Sequence, residues 1–537
     1  MYIYADMNCT NSTLPYKKTG YFSGLVTDYL EQAATLRPFY TNLPDLPGVK
    51  AAIEARKQAT NHRQLLVAEL QKQYEGVATT DAVQQHITLL QQDTTFTVTT
   101  AHQPAIFTGT LYFVYKILHA IRLAAQLKKE WPQYNFVPVY YMGSEDADLE
   151  ELSKIYLGSE KIVWDTKQTG AVGRMQVKGL EKIITRIEGE LSVQPHGKEL
   201  VQLLKDSYLG AANIQTATFK LINTLFAEYG LVVLIPDNAR LKSVMQQVFE
   251  DDLLHQAPSA VVGKTIERLS QHYKVQANPR AINLFYLIDN KRERIEIKNG
   301  KYEVLNTDLS FTKDEILKEL SQHAERFSPN VILRGLFQET ILPNIAFIGG
   351  GGETAYWLEL KDLFEHYHVP YPVLVLRNSF LIIEKKWQEK IAKLGFTSTD
   401  FFKTEQELLT QLVSRSKNGQ LKLEHELTEV QELYLHLKEK AGLIDKTLVQ
   451  HIEALQVKAT KPLQELEKKM LRAEKRKYEE EQRHIHTVKT ALFPLNSLQE
   501  RIDNFMPYYA KWGKDFISMI YNNSLALEQE FVVIEEK

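Results

Sequence analysis

Apolar residues along this chain fall into short continuous runs that alternate with stretches of helical spacing, and this alternation predicts an α/β core built on a parallel sheet. The clearest unit spans 97–151. A run at 96–99 reads as a strand, and 111–128 carries Tyr112, Tyr115, Ile117, Leu118, Ile121 and Leu127 at helical intervals. The continuous apolar run at 137–141 suits a strand buried on both faces. Together they predict one βαβ unit whose strands both end in polar loops, where open parallel sheets bind ligands. Alternation resumes with a helix at 213–229, closed by Gly230, and the apolar run LVVLIPD at 231–237. It continues through VILRGLFQETILPNIAFIGGGGETAYWLELKDLF and a strand at 371–376.

The same pattern suggests domains. Residues 1–92 form an N-terminal segment with two helices between 49 and 92, and 93–404 form a Rossmann-like core. Two segments interrupt that core, at about 152–212 (a short strand near 161–164, then amphipathic helices) and about 240–328. The second reads as a β-meander, with strands at 283–288, 294–298 and 301–305. From about 405 the composition turns to Leu, Glu, Lys and Gln. Leu423, Leu427, Val430, Tyr434, Leu437, Ala441, Ile444 and Leu448 keep the 4-3 spacing of a coiled coil. AGLID (441–445) offers a turn, so an antiparallel hairpin with arms at 405–440 and 446–490 is expected, Pro462 bending or breaking the second. The aromatic-rich segment 491–537 is expected to pack back on the core.

Composition narrows the class. Hydrophobic residues make up 44% and charged residues 24%, with a net charge of −3, so no global basic field points to nucleic acid. No run of about 18 apolar residues predicts a membrane span, and the first residues lack the pattern of a secretory leader. A cytoplasmic enzyme is the expectation. One cysteine, Cys9, excludes an intramolecular disulfide framework and a CxxC metal site.

Four constellations could carry chemistry. In AHQPAIFTGT, His102 and Gln103 could bind a phosphate or polarise a carbonyl, with Thr108 and Gly109 leading into a helix N-terminus. In SEDADLEE, Glu145, Asp146 and Asp148 could hold a metal, an amine or sugar hydroxyls; Glu150 and Glu151 equally suit a helix start. Gly349, Gly350, Gly351 and Gly352 follow an apolar run and precede a helix carrying Glu353, Tyr356 and Trp357, which lets backbone N–H groups approach a ligand. This run fits neither a Walker A motif nor GxGxxG, and Trp357 could equally be core. Finally, Arg377 ends the strand at 371–376 and Arg334 follows another strand-like run; both suit carboxylate or phosphate recognition.

Five blocks in order, TAHQPAIFTGTLYFVYK, YMGSEDADLEE, GGGGETAYW, VPYPVLVLRNS and ALFPLNSLQER, resemble the bacillithiol-biosynthesis cysteine-adding enzymes (BshC). The resemblance covers about 95–515. It implies a Rossmann-like core related in architecture to class I nucleotidyl-transfer folds, and a coiled coil that forms a homodimer. It implies addition of cysteine to the amine of glucosaminyl-malate, with activation by ATP or another adenine nucleotide bound near the coiled coil; Mg2+ is a candidate ion on the chemistry of the acidic loop, since it needs only one or two carboxylates plus substrate phosphates. The matched blocks add Tyr112, Asn378, Ser379, Gln499 and Arg501 as candidate binding residues. Two positions depart from the family. Ala101-His102-Gln103 stands where the family often has Gly-Gln-Gln, and Glu145-Asp146-Ala147-Asp148 where it often has Glu-Asp-His-Asp. The expected chemistry is amide formation, with His102, Glu145, Asp146 and Arg377 as catalytic candidates. Two rivals stay open: a non-catalytic coiled-coil scaffold, and a nucleotidyltransferase acting on another substrate.

Overall fold

The computed structural model describes residues 9–158, 160–416 and 423–537. The first eight residues and 417–422, the latter within the expected first hairpin arm, lie outside the described residues. The chain divides into two compact units, Met1–Leu381 with Ser497–Ile534, and Ile382–Asn496 with Glu535–Lys537. The sequence pattern placed these divisions at 404/405 and 490/491.

The first unit is organised by a five-stranded sheet. Its strands are β1 (Thr95–His102), β2 (Asn135–Met142), β3 (Val232–Leu234), β4 (Asn344–Gly349) and β5 (Val373–Leu376). Every pairing is parallel and the spatial order is β3-β2-β1-β4-β5. The chain therefore runs outward from β1 in one direction, then returns and runs outward in the other, which creates a topological switch point between β1 and β4. Helix α1 (Tyr112–Glu130) makes the β1–β2 crossover. Its Ala120, Leu123, Ala124 and Leu127 pack with Val49 and Ile53 against Phe96, Val98, Phe136, Ile348 and Val375 of the sheet.

Alternation along β1 assigns Thr95, Thr97 and Thr99 to the opposite face. Thr97 and Thr99 donate to the Asn344 side-chain oxygen at 3.1 and 2.8 Å, which fixes the β1–β4 register. Asn344 in turn donates to Glu339, whose carboxylate receives the buried Arg56 guanidinium at 2.9 Å. Arg56 also donates to the carbonyls of Asn344, Glu339 and Pro370. One arginine thus satisfies the backbone at the amino end of β4.

The run at 231–237 forms only a three-residue strand. β3 is an edge, and side chains close it: Tyr74 accepts from the Val233 N–H, while Gln73 donates to the Val233 carbonyl and accepts from the Ile235 N–H. Three helices, Leu46–Gln58, Arg63–Gln73 and Asp81–Leu89, replace the expected two, because 59–62 breaks the first run. Arg334 lies not at a strand end but in the first turn of α3 (Val331–Ile341), N-capped by Asn330; α2 is the helix Ile214–Phe226 that precedes β3. A short apolar run such as VIL does not by itself distinguish strand from helix. The first interruption holds a β-hairpin, Lys154–Leu157 with Glu160–Val163, and two helices. The second is a five-stranded antiparallel sheet that includes Leu284–Ile288, Lys291–Lys298 and Lys301–Val304.

In the second unit, α5 (Glu424–Ile444) and α6 (Leu448–Lys475) form the hairpin; α4 is the helix Gly351–Leu358 after β4. Asp445 accepts from the Thr447 N–H and hydroxyl at the turn. Lys438 pairs with Glu453 across the arms, as antiparallel register requires. Pro462 neither breaks nor ends α6, since at this exposed position water can take the one carbonyl it frees. The interruption comes at 476–478, so the second arm is not a single helix and Glu479–Leu492 is separate; in the first arm a helix spans Glu405–Ser416. Among the described residues no helix is long and apolar enough to cross a membrane.

The Arg56–Glu339 pair gives a direct test of the core. Replacing Arg56 with Met strands a buried carboxylate, and chemical denaturation is expected to show a loss of about 3–5 kcal/mol. A loss below about 1 kcal/mol would show that the network does not anchor β4.

Candidate functional site

Parallel register brings the carboxyl ends of the strands to one rim. His102 pairs with Met142 and Gly349 with Leu376, so the residues that follow them emerge side by side. Gly143 donates to the His102 carbonyl at 2.8 Å and Arg377 to the Gly349 carbonyl at 2.8 Å, which extends the register one residue into the loops. A cavity of about 540 Å³ opens over this rim, within the size range of small-molecule sites.

The glycine run builds one wall. Gly349 closes β4, Gly350 is the N-cap of α4, and Glu353 at the third helical position accepts from the Gly350 N–H at 2.9 Å. The same carboxylate receives Lys116 of α1 at 2.6 Å, and Lys116 also donates to the Ala101 carbonyl at the end of β1. Burial lowers the pKa of the Lys116 ammonium, with Glu353 opposing the shift. Burial alone would raise Glu353, but Lys116 more than offsets it and the carboxylate stays ionised. Gly352 faces open space: nothing lies within 4 Å of where a Cβ would stand.

His102 sits at the switch point with both ring nitrogens engaged. Nδ1 donates to the Gln103 carbonyl at 3.0 Å, and Nε2, left as the acceptor, takes the Tyr112 hydroxyl at 3.1 Å. Burial, reinforced by Lys116, pushes its pKa down to about 3. His102 is therefore neutral at physiological pH and orients Tyr112 rather than presenting a free base.

The acidic loop is divided by its partners. Glu145 pairs with the fully buried Lys242, which also reaches Asp237 at 3.3 Å and the Glu325 carbonyl at 2.9 Å. Burial raises the Glu145 carboxyl, with Lys242 opposing. Asp237 is held below the ordinary carboxylate range: burial would raise it, but the Arg174 and Lys242 hydrogen bonds prevail. Asp146 lies 3.5 Å from Arg334 and 3.9 Å from Arg292. Asp148 is an N-cap, accepting from the Glu151 N–H at 3.1 Å. Arg334 also donates to the Tyr356 hydroxyl at 3.1 Å. Arg377 is tied to Glu500 at 2.7 Å and to Ser379 at 3.0 Å, and lies over the Tyr112 ring.

Of the sequence candidates, His102, Gln103, Tyr112, Glu145, Asp146 and Asp148 line this cavity. So do Arg334, Gly350, Gly351, Gly352 and Glu353, together with Tyr356, Arg377 and Arg501. Gly109 instead borders an adjoining space of about 510 Å³, which shares the His102–Tyr112 wall. Six candidates lie behind the walls. Thr108 is buried in a left-handed loop that Asn504 holds through the Phe107 and Gly109 carbonyls. Gly349 packs on Phe347, and Trp357 is core, stacked on Phe347 and close over Gly335. Asn378, Ser379 and Gln499 are buried, with Ser379 donating to Glu500.

Lys116, Lys242 and Arg292 were missed. Lys116 could have been found, as a lone cation in the apolar face YFVYKILHAI. Gln276 was also missed; it lines the cavity while its N–H and that of Ala277 are held by the buried Glu359 carboxylate. Among the described residues no group of three or more His, Cys, Asp or Glu could hold a metal ion. The glycine loop and the surrounding cations do fit a phosphorylated ligand: α4 directs first-turn N–H groups outward, and Gly352 leaves space beside them.

Lys242 supports a test with a defined sign. In Lys242→Met, Glu145 loses its cation and its folded-state pKa rises further. A carboxyl whose folded pKa exceeds its unfolded value stabilises below that window and loses the contribution as pH rises through it. The variant is expected to lose about 3–5 kcal/mol at pH 8, less at pH 5, with much of the loss recovered in Lys242→Met/Glu145→Gln. A deficit that grows toward low pH in thermal or urea unfolding contradicts the pairing.

Comparison with known proteins fits this geometry. A family model described as "Bacillithiol biosynthesis BshC, N-terminal Rossmann-like domain" matches residues 7–378, and one described as its "C-terminal coiled-coil domain" matches 380–536. Relatives from Flavobacterium johnsoniae and Flavobacterium psychrophilum are each 40% identical, over 97% of this chain and 99% of theirs. One from Cytophaga hutchinsonii is 38% identical over 91% of this chain and 92% of its own. All three carry the name "Putative cysteine ligase BshC". By family match and near-full-length identity, the chain belongs to the bacillithiol-biosynthesis BshC family.

Proposed function

We propose that this protein is a cysteine ligase that joins the cysteine carboxyl group to the amine of glucosaminyl-malate, the last step of bacillithiol assembly, in the cytoplasm. The observation that carries the reading is the switch-point cavity, where cations, glycine N–H groups and carboxylates from separate strand ends face one space. Family membership supports cysteine as one substrate and bacillithiol assembly as the setting.

ATP, when bound, supplies the group that turns a cysteine carboxylate oxygen into a leaving group. The α4 N-terminus at Gly351 and Gly352, with Arg334, would hold its phosphate oxygens, and any Mg2+ would arrive with those phosphates. The amine then attacks the activated carbonyl carbon. The C–N bond forms, the C–O bond to the leaving group breaks, and the amine proton passes to a carboxylate. Glu145 suits that task, because burial raises its proton affinity toward the working range and Lys242 holds it in place. Arg334 and Arg377 offset charge developing on the leaving oxygen. Tyr112, oriented by His102, fixes the wall beside the reacting groups.

The test is a purified-protein assay with ATP, cysteine and glucosaminyl-malate, followed by thiol labelling and mass detection. The expected product is the cysteinyl amide, with Glu145→Gln lowering kcat by about 10²–10⁴-fold. No amide under varied metal and nucleotide supply sinks the ligase reading. Pyrophosphate release without amide would identify a nucleotidyltransferase instead.

The hairpin carries a second proposal. Leu433 and Leu435 on α5 and Val457 on α6 are 57%, 59% and 62% exposed, so one hairpin does not cover its own apolar surface. A second copy of the chain covers it in this reading. Light scattering is expected to give the mass of a dimer, and Leu433→Glu/Leu435→Glu that of a monomer; a wild-type monomer at micromolar concentration refutes the pairing.

A further inference from the structure

The main cavity continues into a smaller space of about 240 Å³ under the inserted antiparallel sheet. Its wall carries three arginines, Arg280, Arg292 and Arg294, against one carboxylate, Asp146. The placement follows from strand geometry. Arg292 and Arg294 occupy alternate positions of Lys291–Lys298 and so share a face. They stand opposite Leu287 and Phe285 in the neighbouring strand. Arg280 joins them from the loop before Leu284–Ile288, where Asn283 fixes the backbone by accepting from the Arg280 N–H and donating to its carbonyl.

Arg292 is built in rather than incidental. It is nearly buried, stacks on Phe285 at 3.9 Å, and donates to the Ser328 hydroxyl at 3.0 Å and the Pro329 carbonyl at 3.1 Å. Those bonds engage Nε and Nη2, leaving the Nη1 edge toward the space, where Asp146 is 3.9 Å away and shared with Arg334. Arg280 and Arg294 are exposed and have no side-chain ion pair among the described residues. Three guanidiniums against one shared carboxylate leave an excess of two positive charges. Planar guanidinium forks favour carboxylate or phosphate oxygens.

We propose that this arginine lobe binds the paired carboxylates of a dicarboxylate-bearing substrate. A space of about 240 Å³ accommodates a four-carbon dicarboxylate. It shares Asp146, Arg292, Asn330 and Val331 with the main cavity, so a molecule anchored by its carboxylates can extend an amine toward Glu145. The assignment rests on the ligase reading for the identity of that molecule, the malate end of glucosaminyl-malate, but not for the site itself.

Calorimetric titration of the full chain with L-malate, and separately with inorganic phosphate, tests it. Malate is expected to bind the wild type, and Arg280→Gln/Arg294→Gln to weaken that binding at least tenfold with an unchanged circular-dichroism spectrum. Because both side chains are exposed, the fold should tolerate the change; Arg294→Lys, which keeps charge but loses the fork, should fall between. In the ligase assay the double variant should raise KM for glucosaminyl-malate at least tenfold, with kcat within about threefold and KM for cysteine unchanged. Failure of the wild type to bind malate, or equal binding by the double variant, overturns the site. Loss of phosphate binding alone reassigns the arginines to a phosphate and overturns the dicarboxylate proposal. If no amide is ever made, the malate titration still decides the lobe.

Discussion

A buried ammonium holds the site together. Lys116 has almost no exposure, and a charge in that position is tolerated only when fully paired. Its partners are the Ala101 carbonyl at the end of β1 and Glu353 in the first turn of α4, and Glu353 also accepts from the Gly350 N–H. One cation thereby joins the two strands that flank the switch point and fixes where the glycine loop stands. The acidic loop is tied down separately, through Lys242 on Glu145 and the Gly173 N–H on the Ser144 carbonyl, and the Arg377 loop through Glu500. Removing the cation would leave a carboxylate stranded at the N-terminus of α4 and release the glycine loop from the end of β1.

Around that link, charge is distributed with a clear division. The carboxylates Glu145, Asp146 and Glu353 each face a cation supplied by a different element: Lys242, Arg334 with Arg292, and Lys116. The net field of the main cavity is thus set by pairs, and none of these three carboxylates lacks a cation. The excess positive charge lies in the inserted segment, in Arg294 of its sheet and Arg280 of the loop before it. Paired charges thus sit at the ends of the parallel strands, and the unpaired cations in the antiparallel insertion.

Much of the core was legible because its signals are local. Continuous apolar runs identified β2, β4 and β5, alternating Phe96-Thr97-Val98-Thr99 marked β1, and a strand followed by four glycines and a helical pattern placed the loop before α4. What escaped was long-range. Lys242 has no local signature, because its function comes from Glu145, 97 positions away. Trp357 and Ser379 sit in motif-rich segments yet face inward, since motif proximity does not say which way a side chain points. Arg334 was placed after a strand because VIL is short and apolar; only the Asn330 cap distinguishes the helix. Pro462 failed as a breaker because a solvated helix can leave one carbonyl to water.

The sheet order has a consequence for how the chain is made. β1 pairs with β2, and β2 with β3, early, but the other neighbour of β1, β4, contributes Asn344 to Thr97 from 247 positions further on. During synthesis the central strand must therefore wait as an edge while both insertions are completed, a hazard for strand-to-strand aggregation. The switch-point crevice does not exist in that interval. Assembly of the rim coincides with closure of the sheet, so the nascent chain cannot offer a half-built site to a reactive substrate before its core has formed.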